Sequence, residues 1–343
     1  MSNKEFFGIF KEEFEKYLEY KRAQGYYKKN DGKYIYLLMY INKYLDSYKL
    51  NEIQITKEMI ENFLIYNKDI TQSTKHGYEC ALRQFSKFLL LRGYKNIYVQ
   101  YECIVKNPRD YIPYVFSSEE IERIFTVIDN QKFKIHNLES NVLYKTLFRI
   151  LYCTGIRLGE LLDLKIDDVD LNNNIITVAH GKNDVRRILP FTKSLAIYIK
   201  QYLEVFPNNK EYFFESIRGG RISNHTISKR FRDVILPEAG INRKNTVINY
   251  SRGACVHTLR HTFACNALDK MIKEGKDPYC ALPYLSIYMG HTSITNTELY
   301  LRLTKERYDE VVACGHYIYE DIGEKYEWFH SSIEWIFYWL FSK

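Results

Sequence analysis

Residues 172–190 read N-N-N-I-I-T-V-A-H-G-K-N-D-V-R-R-I-L-P. Two runs rich in β-branched residues flank the polar turn G-K-N-D, which is the pattern of a β-hairpin. On both sides the chain reads as helix. Apolar residues recur at helical spacing over 118–128 and 141–153 before the hairpin, and over 193–205, 223–239, 258–274 and 281–289 after it. S-S-E-E-I-E-R-I-F at 117–125 opens the first of these with a capping serine and early acids.

Further upstream, 106–116 (K-N-P-R-D-Y-I-P-Y-V-F) carries two prolines and no periodicity, so it reads as a linker. The residues before it give four helical patterns. The first contains Phe6, Phe10, Phe14 and Leu18, and the second Ile35, Leu38, Tyr40, Ile41 and Leu45. The third covers 59–66 and the fourth 78–91, with Gly93 placed as a C-cap. The expectation is a mainly α chain with a small antiparallel β-sheet. Its parts are a helical domain at 1–105, a linker at 106–116, a mixed α/β domain at 117–320 and a tail at 321–343.

The chain has 343 residues and a net charge of +7. Residues 1–105 hold 17 Lys and Arg against 13 Asp and Glu, a net of +4. That balance permits binding to nucleic acid without establishing it. Lys28, Lys29, Lys75, His76, Arg83 and Lys87 are candidates to face phosphates, and solvated helix faces are the competing reading. The seven cysteines are scattered, which points to free thiols in a reducing compartment. No signal-peptide pattern or spanning apolar stretch is present; the nearest is I-E-W-I-F-Y-W-L-F at 333–341. A cytoplasmic, non-membrane protein is expected.

Four short segments carry chemistry: T-G-I-R-L-G-E at 154–160, H-G-K-N at 180–183, H-T-L-R-H at 257–261 and M-G-H-T-S-I-T-N-T-E-L-Y-L at 289–301. Phosphodiester cleavage needs a nucleophile, cations on the non-bridging oxygens and a proton for the leaving oxygen. Arginine suits the second task because its planar fork grips two oxygens and stays charged. Arg157 follows a Thr-Gly break, with Glu160 three residues on to orient it; a surface arginine beside a capping glutamate fits as well. Lys182 sits in a polar turn, where a lysine is ordinarily just solvated. His257 and Arg260 lie one helical turn apart and can face the same way. His291 follows a glycine. Tyr300, one of 31 tyrosines, reads alone as a core aromatic. Cys255, His257, His261 and Cys265 offer a competing zinc pattern, weakened by the lack of a second paired cluster.

Taken together, the four boxes resemble those of the tyrosine recombinase (phage integrase) family, strongly over 115–315 and more weakly over 1–105. The stretch leading to Tyr300 is particularly similar to recombinases of transposons and other mobile elements. The resemblance implies a two-domain architecture: a helical, SAM-like core-binding domain and a mixed α/β catalytic domain. It implies Arg157, Lys182, His257, Arg260, His291 and Tyr300 as catalytic residues, with Glu160 in support. It further implies double-stranded DNA with a specific site as partner, a homo-tetramer on that DNA, DNA-bending or directionality factors as accessories, and no metal or other cofactor. Many relatives dock a C-terminal helix on a neighbouring subunit. Trp328, Trp335, Ile336, Trp339 and Leu340 are spaced for that, or for folding back on their own domain. A type IB topoisomerase and a non-cutting DNA-binding accessory protein remain as alternatives.

Overall fold

The computed structural model describes residues 5–25, 31–66, 70–105, 113–130, 138–179, 186–206, 211–216, 219–242, 253–291, 293–294, 297–301 and 303. The chain divides into two compact units, Met1–Asp110 and Tyr111–Lys343.

The first unit contains α1 (Lys11–Ala23), α2 (Asp31–Asp46), α3 (Lys57–Tyr66) and α4 (Gln72–Leu91). Its core is aromatic. Phe14 stacks on Phe85 with ring centroids 3.9 Å apart, and Phe6 stacks on Phe14. Phe6 and Phe10 precede α1, so the helical spacing of the phenylalanines overran the helix. They are buried nonetheless, because Asn42 holds the leading segment with two 2.9 Å hydrogen bonds to the backbone of Phe7. Thr71 caps α4 by accepting from the Thr74 amide. Gly93 follows the last turn in the left-handed conformation expected of it.

The second unit contains α5 (Ser118–Asn130), α6 (Leu138–Thr154), α7 (Leu158–Asp163), a 3-10 turn, strands β1 (Val169–Asp170), β2 (Ile175–Val178) and β3 (Arg187–Pro190), and α8 (Lys193–Val205). Next comes α9 (Asn224–Arg230), which runs through a π turn into α10 (Leu236–Glu238). Then come α11 (Val256–Lys273) and α12 (Pro278–Met289). The two β-rich runs pair antiparallel as read, with Thr177 opposite Ile188, and β1 adds a third antiparallel strand on the far side of β2; the turn at 181–184 lies outside the described residues. At two residues β1 is too short to leave a periodic signal.

α6 and α11 lie in one core with α8 and α12. The end of the stretch read as linker joins that core. Phe116 is buried, and its amide donates to Thr262 Oγ1 on α11 at 3.0 Å. α12 starts three residues earlier than expected, because Asp277 caps it and Pro278 occupies its first turn. Among the described residues no helix is long and apolar enough to cross a membrane. Lys28, Lys29, Lys182 and the whole tail at 321–343 lie outside the described residues.

Gly155 explains the break between α6 and α7. Its φ is +60°, and a Cβ there would sit 2.4 Å from the Phe263 ring on α11. Gly155→Ala combines left-handed strain with overpacking, and is expected to cost about 2–4 kcal/mol. Urea denaturation checks this; a midpoint equal to wild type would mean that Phe263 moves aside freely.

Candidate active site

Five of the six residues singled out as catalytic can be located, and three of the four segments bring them together. Arg157 stands at the N-cap of α7 with extended backbone. Its Nη1 donates to Glu160 Oε1 at 2.8 Å and its Nη2 donates to the Gly290 carbonyl at 2.9 Å. The second bond joins positions 133 residues apart.

Glu160 is buried, and its carboxylate is saturated. Beyond the Arg157 side chain it accepts from the Arg157 amide (3.1 Å) and from both Arg187 terminal nitrogens (3.2 and 2.5 Å). Burial opposes its charge, but the guanidinium of Arg187, then that of Arg157, holds the carboxyl down at about 2. Arg187 was missed in the sequence. Strand alternation contained the signal: β3 buries Leu189, so the residue two before it also points inward.

Arg260 is 3% exposed. It donates to the Gly155 carbonyl and the Met289 carbonyl, both at 2.5 Å, and from Nη2 to His291 Nε2 at 3.2 Å. An arginine can only donate, so His291 Nε2 accepts. The proton therefore lies on Nδ1, which donates to Thr297 Oγ1 at 2.9 Å. Gly290 makes the preceding turn, ending α12 in the left-handed conformation at φ +63°.

His257 lines a cavity of about 170 Å³ together with Arg260, as their spacing on α11 predicts. His261 follows one turn later, its ring centroid 4.6 Å from that of His257, and its Nδ1 is 3.1 Å from the Tyr300 hydroxyl. Tyr300 is 2% exposed and stacks near the His291 ring, centroids 6.1 Å apart. The zinc reading of 255–265 gives way to this arrangement, since His261 is turned to a phenol and Cys265 is buried in the core.

Among the described residues, the electrostatics follow from three guanidiniums (157, 187 and 260) against one carboxylate. Desolvation and then the arginines push the imidazoles down, His257 to about 4 and His261 and His291 to about 3; for His261, His257 also contributes, ahead of Arg260. Burial lowers Arg260 to about 10, still charged at neutral pH. Burial raises Tyr300 to about 12, although Arg260 and Arg157 pull the other way. The cluster carries unspent positive charge, neutral imidazoles and one phenol. Such a site fits an anionic phosphoryl group.

These shifts set an acid limit. Imidazoles held below their ordinary 6.5 stabilise the fold above that value and lose this as pH falls towards 3. Glu160, depressed from 4.5 to about 2, contributes fully above 4.5 and loses its contribution between those values. Urea midpoints of the DNA-free protein are therefore expected to fall from pH 7 to 5 and faster below 4.5. A flat profile from pH 7 to 4 would contradict the buried geometry.

Of the residues proposed to touch DNA from the first unit, Lys75, His76, Arg83 and Lys87 all lie on α4. Lys87 is exposed and Lys75 half-buried. His76 and Arg83 instead bond to the chain's own carbonyls, at Val105 (2.8 Å) and Tyr101 (3.2 Å).

Residues 115–307 match the phage integrase family. A tyrosine recombinase XerC of Staphylococcus epidermidis is 25% identical over 285 residues, covering 81% of this chain and 88% of that one. A putative integrase/recombinase of Sinorhizobium fredii is 28% identical over 212 residues, covering 60% of this chain and 66% of the other. The fold resembles that of the XerH recombinase bound to its difH substrate after cleavage, with a TM-score of 0.62 and 24% identity over 82% of this chain and 78% of that one. It also resembles the Tn1549 transposon integrase in complex with transposon right-end DNA, with a TM-score of 0.62 and 16% identity over 87% of this chain and 98% of the other. The two-unit helical architecture, the small antiparallel sheet and the family match agree: the chain belongs to the phage integrase family, the tyrosine recombinases that break and rejoin DNA strands.

Proposed function

We propose that this recombinase acts at a specific DNA site and holds the cut strand as a 3′-phosphotyrosyl link to Tyr300. The reading rests on the convergence of Arg157, Arg260, His291 and Tyr300, which come from three separate segments. The Tyr300 oxygen attacks phosphorus, and the bond from phosphorus to the 5′ oxygen breaks. Arg157, Arg260 and His291 stabilise the charge that builds on the non-bridging oxygens. His257, at the cavity mouth, holds a phosphate oxygen. Glu160 fixes Arg157, and Lys182 supplies the proton that the leaving 5′ oxygen takes up. His261 Nδ1 is close enough to take the phenol proton. The phosphate brings negative charge, which raises the flanking imidazoles so that His291 becomes a donor.

The guanidiniums supply the charge, so no metal or other cofactor enters the reaction. A partner strand's 5′-OH reverses the step on the phosphotyrosine, and two such rounds pass through a Holliday junction within a tetramer. Cytoplasmic DNA of a mobile element, aided by bending or directionality factors, is the substrate. The domains at 1–105 and 117–320, joined by the linker at 106–116, each contact it. Lys28, Lys29, Lys75 and Lys87 contact phosphates, so binding weakens steeply with salt. The tail at 321–343 docks on a neighbouring subunit.

A nicked suicide duplex of the element end, incubated with EDTA, tests the reading. A covalent adduct is expected, with the nucleotide on the peptide that contains Tyr300. A strict need for a divalent ion would refute the chemistry. Relaxation of a plasmid without the site, with no exchange between two sites, would mark a topoisomerase instead.

A further inference from the structure

The first unit holds a cluster that strand exchange does not use. His76 and Cys80 lie one turn apart on α4, and Cys103 comes from the segment after it. One ligand atom from each lies within 4.8 Å of the other two. Cys80 Sγ is 3.7 Å from Cys103 Sγ and 3.5 Å from His76 Nε2. A tetrahedral zinc ion, with Zn–S about 2.3 Å and Zn–N about 2.0 Å, sets its ligands about 3.5–3.8 Å apart. Two edges of that tetrahedron are therefore already built.

The histidine is in the right tautomer. A carbonyl can only accept, so the 2.8 Å contact with Val105 O puts the proton on Nδ1 and leaves the Nε2 lone pair facing Cys80. A backbone carbonyl that orients the imidazole in this way is the usual support of a metal-binding histidine. Burial and the neighbouring Cys103 raise the Cys80 thiol, and Arg83 Nη2, 3.8 Å from Sγ, pulls the other way. The 101–105 segment that carries Cys103 is itself anchored. Glu79 accepts from the amides of Ile104 (2.6 Å) and Val105 (3.0 Å), and from Gln100 at 2.5 Å. All three candidate ligands are half-buried, so an ion can enter.

We propose that His76, Cys80 and Cys103 bind one zinc ion, which clasps the 101–105 segment to α4. Two thiolates and one imidazole suit a borderline-soft d10 cation, and water takes the fourth position. Uptake releases the two thiol protons, and the resulting site is neutral. The role is structural: the ion holds the end of the first unit and lies outside the phosphoryl chemistry.

The test uses the full-length chain, purified under reductant, incubated with zinc chloride and freed of excess metal. Elemental analysis is expected to give about one zinc per chain, in wild type and in Cys280→Ser, whose exposed thiol lies outside the cluster. Cys80→Ser/Cys103→Ser is expected to lose at least nine-tenths of it. Zinc is expected to raise the melting temperature of wild type but not of the double variant. Cobalt substitution should give a thiolate charge-transfer band that His76→Gln shifts. Absence of zinc from wild type, or full retention in the double variant, would overturn the proposal. So would a Cys80–Cys103 disulfide that persists under reductant. Adduct formation on DNA does not enter any of these readouts, so they stand or fall separately from the recombinase reading.

Discussion

Tyr300→Phe is expected to abolish the covalent protein–DNA adduct on the nicked duplex, a loss of at least about 10⁴-fold, while leaving DNA affinity within a few-fold of wild type. The hydroxyl is the only atom removed. It bonds to His261 Nδ1 and also interacts with the Arg260 guanidinium, so folding stability should fall by about 1–2 kcal/mol. The ring remains to fill the pocket beside His291. Gel-shift affinity, urea midpoint and adduct yield must therefore separate, with only the last collapsing. An adduct that persists in this variant would identify a different nucleophile.

Glu160→Gln is expected to produce the largest loss of stability from a single side chain in the site. The carboxylate accepts from four donors on Arg157 and Arg187. A carboxamide replaces one acceptor with a donor, and no negative charge remains among three guanidiniums. Removing one partner from a buried charge set costs about 3–5 kcal/mol. Adduct formation should also fall, since Arg157 loses its anchor. Adding Arg187→Met to Glu160→Gln removes the stranded cation and is expected to restore part of the stability. A double variant no more stable than Glu160→Gln would show that the stranded Arg187 cation does not carry the loss.

The sequence conveyed most of the architecture, and the reason is local. The hairpin at 172–190 declares itself through β-branched runs, and α8 begins and ends where the periodicity does. His257 and Arg260 share a face because one helical turn separates them. What stayed hidden depends on distance or on brevity. Arg187 reads as a surface charge until Glu160, 27 residues away, is known to be buried beside it. His261 gains its meaning only from Tyr300, 39 residues on. The soft-ligand group was sought at 255–265, where four Cys and His residues crowd the sequence. It lies instead where a helical pair meets Cys103, 23 residues after Cys80.

The carbonyls of Gly155, Met289 and Gly290 bear on how this protein can be altered. Arg157 and Arg260 spend donors on them, so the groups assigned to grip phosphate also staple remote parts of the chain. An arginine-less variant confounds lost chemistry with lost architecture and makes a poor inactive control; the tyrosine variant is the clean one. For the same reason, retargeting to new DNA sites has to come from side chains elsewhere, because selection cannot loosen these two arginines without loosening the fold.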